Sequence, residues 1–166
     1  MTLGQGYDRH VGLEAELLVR HRWSPEQYEY AHVALDPSLS APEHARGWVT
    51  TYGADAALVV PEQEIVALIV TELVTNAVRH VPGPQQDLPS IEVHFGIADT
   101  ALRLEVCDPG AGFTVGALHP PVAELPGRRG LVIVDALASR WGAGLGSRCH
   151  CVWAEVDRPV RWLHAV

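Results

Sequence analysis

Apolar residues recur at helical spacing from Pro61 to Val81, PEQEIVALIVTELVTNAVRHV, and predict a helix of about five turns or more. Ile65, Leu68, Ile69, Leu73, Ala77 and Val78 form its apolar set. Pro61 suits the first helical position, and Glu62, Gln63 and Glu64 suit the positive end of the helix dipole. Two polar residues, Glu72 and Asn76, interrupt the apolar face one turn apart, so a carboxylate and a carboxamide point the same way. A buried carboxylate without a partner costs roughly several kcal/mol. Glu72 therefore calls for a partner, a neighbouring metal or a solvated cleft, the alternative being a surface Glu and an Asn in the last exposed turn of the helix.

Around this helix the pattern alternates between the two periods. Tyr28 to Leu35, YEYAHVAL, has the alternation of a strand, ended by Asp36-Pro37. Ser40 is placed to cap a helix running to about Tyr52, with Gly53 as its stop; Trp48, Val49 and Tyr52 give it a buried side, and His44 and Arg46 point to solvent. After Val81-Pro82-Gly83-Pro84, IEVHFGI and LRLEVCD read as an antiparallel hairpin joined by Ala98-Asp99-Thr100, with Asp108-Pro109-Gly110-Ala111-Gly112-Phe113 at its end. Thr114 to Pro126 shows no periodicity and reads as a lid or binding loop. Gly127-Arg128-Arg129-Gly130 opens an apolar helix, LVIVDALASRWG, ended by Trp141-Gly142, and CHCVWAEV is the last strand. The order predicts an α+β two-layer sandwich, one mixed or antiparallel sheet covered by helices on one face.

The 166 residues, 48% hydrophobic, suffice for one core. Residues 28–157 are expected to form the domain, 1–27 an accessory arm and 158–166 a tail with Trp162 against the core. The short apolar patch from Leu13 to Val19 suits packing on a second copy, so a homodimer stands as an open expectation. No apolar run of membrane-spanning length and no secretory signal is seen, which with the cysteine usage predicts a soluble, cytoplasmic protein. The formal charge of −8 argues against nucleic acid as a direct partner. Cys107, Cys149 and Cys151 make no even disulfide framework, in keeping with a reducing compartment. Cys149, His150 and Cys151 suggest a metal by proximity, but on a strand His150 faces away from the two thiols, which read instead as small core residues.

ELVTNAVRH on a helix, DPGAGF at a strand end and GRRGLVIVDAL at a helix start, in that order, resemble the GHKL-type (Bergerat fold) ATPase domain of gyrase, chaperone ATPases, histidine kinases and MutL proteins. More narrowly, His44-Ala45-Arg46, TELVTNAVRH and the closing VWAEV are similar to the anti-sigma-factor serine kinases and their stand-alone actinobacterial relatives, over roughly Tyr28 to Val156. The resemblance implies ATP and Mg²⁺ as cofactors, with Asn76 a metal ligand and Glu72 the carboxylate that orients or deprotonates an incoming hydroxyl. It implies that Asp108 accepts a hydrogen bond from the adenine amine, where guanine presents a carbonyl, and that Gly110 and Gly112 let the backbone approach the nucleotide. Gly130 and Leu131 match the second glycine box, whose amides meet phosphates. Arg79 reads either as charge near them or as a solvated helix-end cation.

Two departures stand out. Relatives carry Gly-x-Gly-Leu where this chain has Arg128-Arg129-Gly130-Leu131, so Arg128 either obstructs the loop or contacts a phosphate. Cys151 stands where many relatives carry a nucleotide-contacting Thr. The function implied is an ATP-dependent serine/threonine protein kinase that phosphorylates an antagonist protein and regulates a sigma factor, both docking near Arg46. The alternative is an ATP-binding regulatory module without catalysis.

Overall fold

The computed structural model describes residues 27–81, 90–110, 129–145 and 149–159. Strands β1 (Glu29–Leu35), β2 (Ile91–Ile97), β3 (Ala101–Asp108), β4 (Arg140–Leu145) and β5 (His150–Asp157) make one sheet in the order β1-β2-β3-β5-β4, antiparallel throughout. The helices are α1 (Ala41–Asp55), α2 (Val60–His80) and α3 (Arg129–Leu137). The architecture is α+β, a single antiparallel sheet with helices packed on it, as the alternation of periods predicts.

Register sorts the side chains. Val33, Val93, Val106, Val152 and Ala143 lie in one row across all five strands, within the core under the helices. The next row, Ala34, Glu92, Cys107, Cys151 and Gly144, belongs to the opposite face, because successive side chains on a strand alternate. That outer face is polar. Arg103 pairs with Glu155 at 3.1 Å and lies over the Trp153 ring, 4.5 Å from its centroid. Trp153 in turn lies against Gly142, where a Cβ would come within 2.9 Å of the indole.

Helix α2 buries Val66, Ile69, Val70, Leu73, Val74 and Ala77. This set differs from the sequence expectation: Leu68 is 51% exposed, Ile65 and Val78 are half-buried, and Val66, Val70 and Val74 take the centre. The helix is pressed by the sheet on one side and by α1 and α3 on others, so the buried stripe is wider and turned relative to the strongest apolar run. Its ends are fixed locally. Glu62 accepts a hydrogen bond from the Val59 amide at 3.0 Å, and Val81 is held extended ahead of Pro82.

Helix α1 buries Ala41, Ala45 and Val49, while Trp48 stacks on Tyr52 and Tyr52 meets Phe95 edge-on. His44 and Arg46 are exposed, as expected. The helix passes through Gly53 and ends at Asp55, with Ala56 as its C-cap and Ala57 beyond it at a positive φ of 55°. Gly53 is instead a packing position, since a Cβ there would lie 3.1 Å from Leu58. Ser40 occupies the cap position without capping; its hydroxyl bonds Ser38.

The remaining corrections concern the second half of the chain. The helix expected over Leu131–Gly142 stops at Leu137, and Arg140–Leu145 forms edge strand β4. RWGAGL has too few side chains to show strand alternation, and its pairing comes from β5. Cys107 and Cys151 form a disulfide, whereas the sequence suggests reduced thiols. The register places them directly opposite each other across 44 residues of sequence, a pairing no local pattern reveals. The cysteine-based case for a reducing compartment falls with it. Among the described residues no helix is long and apolar enough to cross a membrane. The expected arm, the loop from Thr114 to Pro126 and Trp162 lie outside the described residues.

One polar tie joins distant elements. Arg158 beyond β5 donates from Nε to Glu62 at 2.9 Å and from a terminal nitrogen to the Ala98 carbonyl at 2.6 Å, so Glu62 serves both the start of α2 and the end of the sheet. Glu62→Ala should lower the unfolding free energy by about 2–4 kcal/mol, because it strips a helix cap and leaves a largely buried guanidinium short of its anion. A urea midpoint indistinguishable from wild type would contradict this.

Candidate functional site

Positions 72, 76 and 80 of α2 stack one turn apart. Glu72 is half-buried, Asn76 is 8% exposed, and His80 is exposed at the last turn. Two glycine segments distant in sequence come down on this row. A Cβ on Gly130, at the start of α3, would run into the Glu72 carboxylate. A Cβ on Gly110, just past β3, would lie 2.9 Å from the His80 carbonyl oxygen and 2.6 Å from Asp108 Oδ1. At Gly110 the neighbour is backbone, so only a residue without a side chain allows the approach; at Gly130 a side chain would have to displace the Glu72 carboxylate.

Between those two contacts sits Asn76. Its Nδ2 is buried and has no hydrogen-bond partner among the described residues. Rotating the carboxamide by half a turn exchanges oxygen and nitrogen, so what the fold leaves available is one polar end of an amide on a rigid helix. An unsatisfied buried polar atom costs about 1–3 kcal/mol, which a ligand can relieve.

Asp108 ends β3 on the helix-facing side. Its Oδ1 accepts a hydrogen bond from the Gly110 amide at 2.8 Å, closing a tight turn, and its Oδ2 lies 3.6 Å from Nδ1 of His150. Both side chains are almost wholly buried, and the two residues are direct partners in the β3–β5 ladder. The 3.6 Å separation is an ion-pair distance for a protonated imidazole and too long for a hydrogen bond.

The structure thus brings Glu72, Asn76 and Gly130 to one face of α2, and Gly110 with Asp108 to the last turn of the same row. Leu131 is 1% exposed and anchors α3 in the core. Arg79 is exposed. Gly112 and Arg128 lie outside the described residues.

His150 is the residue that sequence reasoning misses here. Considered only as a metal ligand beside two cysteines, it faces the opposite way and stands against Asp108. Strand parity supplies half of that signal, and the other half is the β3–β5 register. Cys151, which stands where many relatives carry a nucleotide-contacting Thr, points to the outer face and is bonded to Cys107. Cys149 lies 3.9 Å from Cys151, sulfur to sulfur. Burial pushes the Cys149 thiol up, and the carboxylates of Glu92, Glu105 and Asp108 push in the same direction.

With this geometry in place, comparison with known proteins becomes informative. The sequence profile of the histidine kinase-like ATPase domain family matches residues 33–155. A solved structure of the RsbU and RsbW domains of Rv1364c from Mycobacterium tuberculosis is similar in fold, with a TM-score of 0.58 and 22% sequence identity. The match covers 82% of this chain and 34% of that one, so this chain spans about a third of the length of the protein it resembles. No curated protein matches significantly.

The glycine contacts give a direct test. Gly110→Ala should destabilise by about 1–3 kcal/mol, since the new methyl meets backbone and a carboxylate fixed by a turn. Gly47→Ala, on the exposed side of α1 with nothing within 4 Å of the new Cβ, should stabilise by about 0.5–1 kcal/mol. Urea denaturation of both variants in parallel decides it; equal shifts would mean that Gly110 is not tightly enclosed.

Proposed function

Because this chain belongs to the histidine kinase-like ATPase domain family, we propose that residues 28–157 bind ATP with Mg²⁺ along the Glu72–Asn76–His80 row and pass the γ-phosphoryl group to a serine of an antagonist protein. In this reading the chain is an anti-sigma-type serine/threonine kinase that holds a sigma factor in its alternative complex. The observation that carries it is the convergence of two glycine segments on one helical row whose central amide has a buried end without a partner among the described residues.

Each residue has a role that its environment permits. Asp108 uses oxygen lone pairs left after its bond to the Gly110 amide to accept from the exocyclic amine of adenine. Gly110 and Gly112 keep the backbone clear for the nucleotide. The first amides of α3, around Gly130 and Leu131, donate to phosphate oxygens, and Arg128 adds positive charge beside them. The Asn76 carboxamide fits a hard cation through its oxygen. Mg²⁺, when bound there, neutralises triphosphate charge. Glu72 accepts the proton of the serine hydroxyl as its oxygen attacks the γ-phosphorus, while the bond from that phosphorus to the bridging oxygen of ADP breaks. Gly130 lies against this carboxylate, which in this reading sets it beside the phosphates that the α3 amides hold.

A second reading, ATP binding that sets conformation or dimerisation without transfer, draws on Arg128-Arg129 replacing the first glycine of the second box and on Cys151 facing away from the row. Labelled ATP separates the two. With an antagonist protein present, wild type should transfer label, and Glu72→Gln should retain ATP affinity while losing about 10²–10⁴-fold in transfer rate. Asp108→Asn should keep the Gly110 turn but lose preference for ATP over GTP. A wild type that binds ATP and labels nothing supports the second reading; one that binds no adenine nucleotide refutes both.

The exposed face of α1 around Arg46 is proposed as the docking surface for sigma factor and antagonist. Arg46→Glu should abolish capture of either partner in a pulldown and leave the ATP titration unchanged. Undiminished capture would place docking elsewhere.

A further inference from the structure

The face of the sheet turned away from the helices holds a cluster that nucleotide binding does not use. On β3, Glu105 and Cys107 point to this face; on the neighbouring strand Cys151 does, and Cys149 just before it joins them. Cys107 and Cys151 are joined as a disulfide. Cys149 Sγ is 3.9 Å from Cys151 Sγ, and Glu105 Oε1 is 3.7 Å from Cys107 Sγ. Ligand atoms of Glu105, Cys107 and Cys151 all lie within 4.8 Å of one another.

Those separations have a chemical meaning. With Zn–S bonds of about 2.3 Å, the edge of a tetrahedron is about 3.8 Å between two sulfurs and about 3.5 Å between sulfur and oxygen. The Cys149–Cys151 and Glu105–Cys107 distances already approach these edges. The Cys107–Cys151 pair does not, because it is covalently closed. His150 is no ligand, since it faces Asp108 on the other side of the sheet; Cys107 and Glu105 from β3 supply what it cannot. Beside Cys151 the partner in the ladder is Gly144, where an added Cβ would meet nothing within 4 Å among the described residues, so these leave room next to the sulfurs. Arg103, 3.6 Å from Glu105, is the competing cation for that carboxylate, and it also offsets the negative charge that three thiolates would gather.

We propose that Glu105, Cys107, Cys149 and Cys151 form a redox-gated thiolate site for a soft divalent cation, Zn²⁺ being the best match to an S₃O ligand set. While the disulfide stands the site is closed. A dithiol reductant opens it: two electrons pass to the Cys107 and Cys151 sulfurs, each sulfur takes up a proton, and the reductant leaves as its own cyclic disulfide. The two sulfurs then separate by side-chain rotation. On binding, the cation displaces the three thiol protons to solvent and takes the Glu105 oxygen as fourth ligand. This site is independent of the proposed kinase activity, because its ligands and Asp108 with His150 lie on opposite faces of the same two strands.

Cobalt reports the ligands directly. The full chain is reduced with a dithiol, freed of reductant without air and titrated with Co²⁺, then with Zn²⁺. The reduced protein should saturate at one equivalent, with sulfur-to-cobalt charge-transfer intensity of three thiolates and the visible bands of tetrahedral cobalt, all bleached by Zn²⁺. The oxidised protein should show none of this. Cys149→Ser leaves the disulfide pair untouched and should remove about one third of the charge-transfer intensity. Glu105→Gln should keep that intensity but weaken Co²⁺ binding by about tenfold or more. Absent thiolate bands in the reduced wild type, equal binding by the oxidised form, or unchanged behaviour of either variant would overturn the proposal.

Discussion

Two places where the main chain of a glycine lies close against α2 organise this structure. Gly130 meets the Glu72 carboxylate and Gly110 meets the last turn at His80, two helical turns away. Between them the helix is anchored by Val66, Ile69, Val70, Leu73, Val74 and Ala77, so the polar row 72–76–80 cannot rotate without unpacking the core. The rigidity that burial gives α2 is therefore what makes Asn76 a fixed point. Held on a packed helix, the carboxamide keeps one end without a partner among the described residues.

Much of this is written locally and some of it is not. The long helix and the hairpin of β2 and β3 follow from apolar spacing of three to four or of two, and the two glycine-bearing segments are legible as short motifs, all of which the chain states residue by residue. What spacing leaves undetermined is rotation and register. Leu68 belongs to the strongest apolar run and is half exposed, whereas Val66, Val70 and Val74 are buried, because packing on three sides sets which face turns inward. β4 has glycines at Gly142 and Gly144, for Trp153 to lie on and for room beside Cys151, and so lacks the alternating side chains that announce a strand. Cys107–Cys151 and Asp108–His150 are both products of the β3–β5 register, which depends on the whole sheet.

That register has a further consequence. Adjacent ladder positions place a disulfide on one face and a buried carboxylate–imidazole pair on the other, one peptide apart in each strand. A shift of one residue would exchange the two sets, putting Asp108 and His150 outside and sulfur at the helix row. The valine row at 33, 93, 106 and 152 forbids it, since the same slip would expose the core. Hydrophobic burial thereby fixes the chemistry of both faces at once.

Likeness of fold at 22% identity says how the chain is built, and function has to be read from the residues at the site. Asp108 bears most on that reading. A buried carboxylate needs hydrogen bonds or an opposite charge; here the Gly110 amide supplies a hydrogen bond, and the His150 imidazole stands 3.6 Å away. These partners do not exhaust it, because two carboxylate oxygens offer about four acceptor positions. The existing bond fixes the direction of the remaining lone pairs, so under the proposed nucleotide reading a purine amine would meet an acceptor already oriented rather than one that must first be desolvated and turned. Preorganisation of this kind lowers the cost of binding and sharpens rejection of a base that presents a carbonyl instead. The turn at Gly110 thus does two things with one hydrogen bond: it seats the backbone on α2, and it aims the carboxylate.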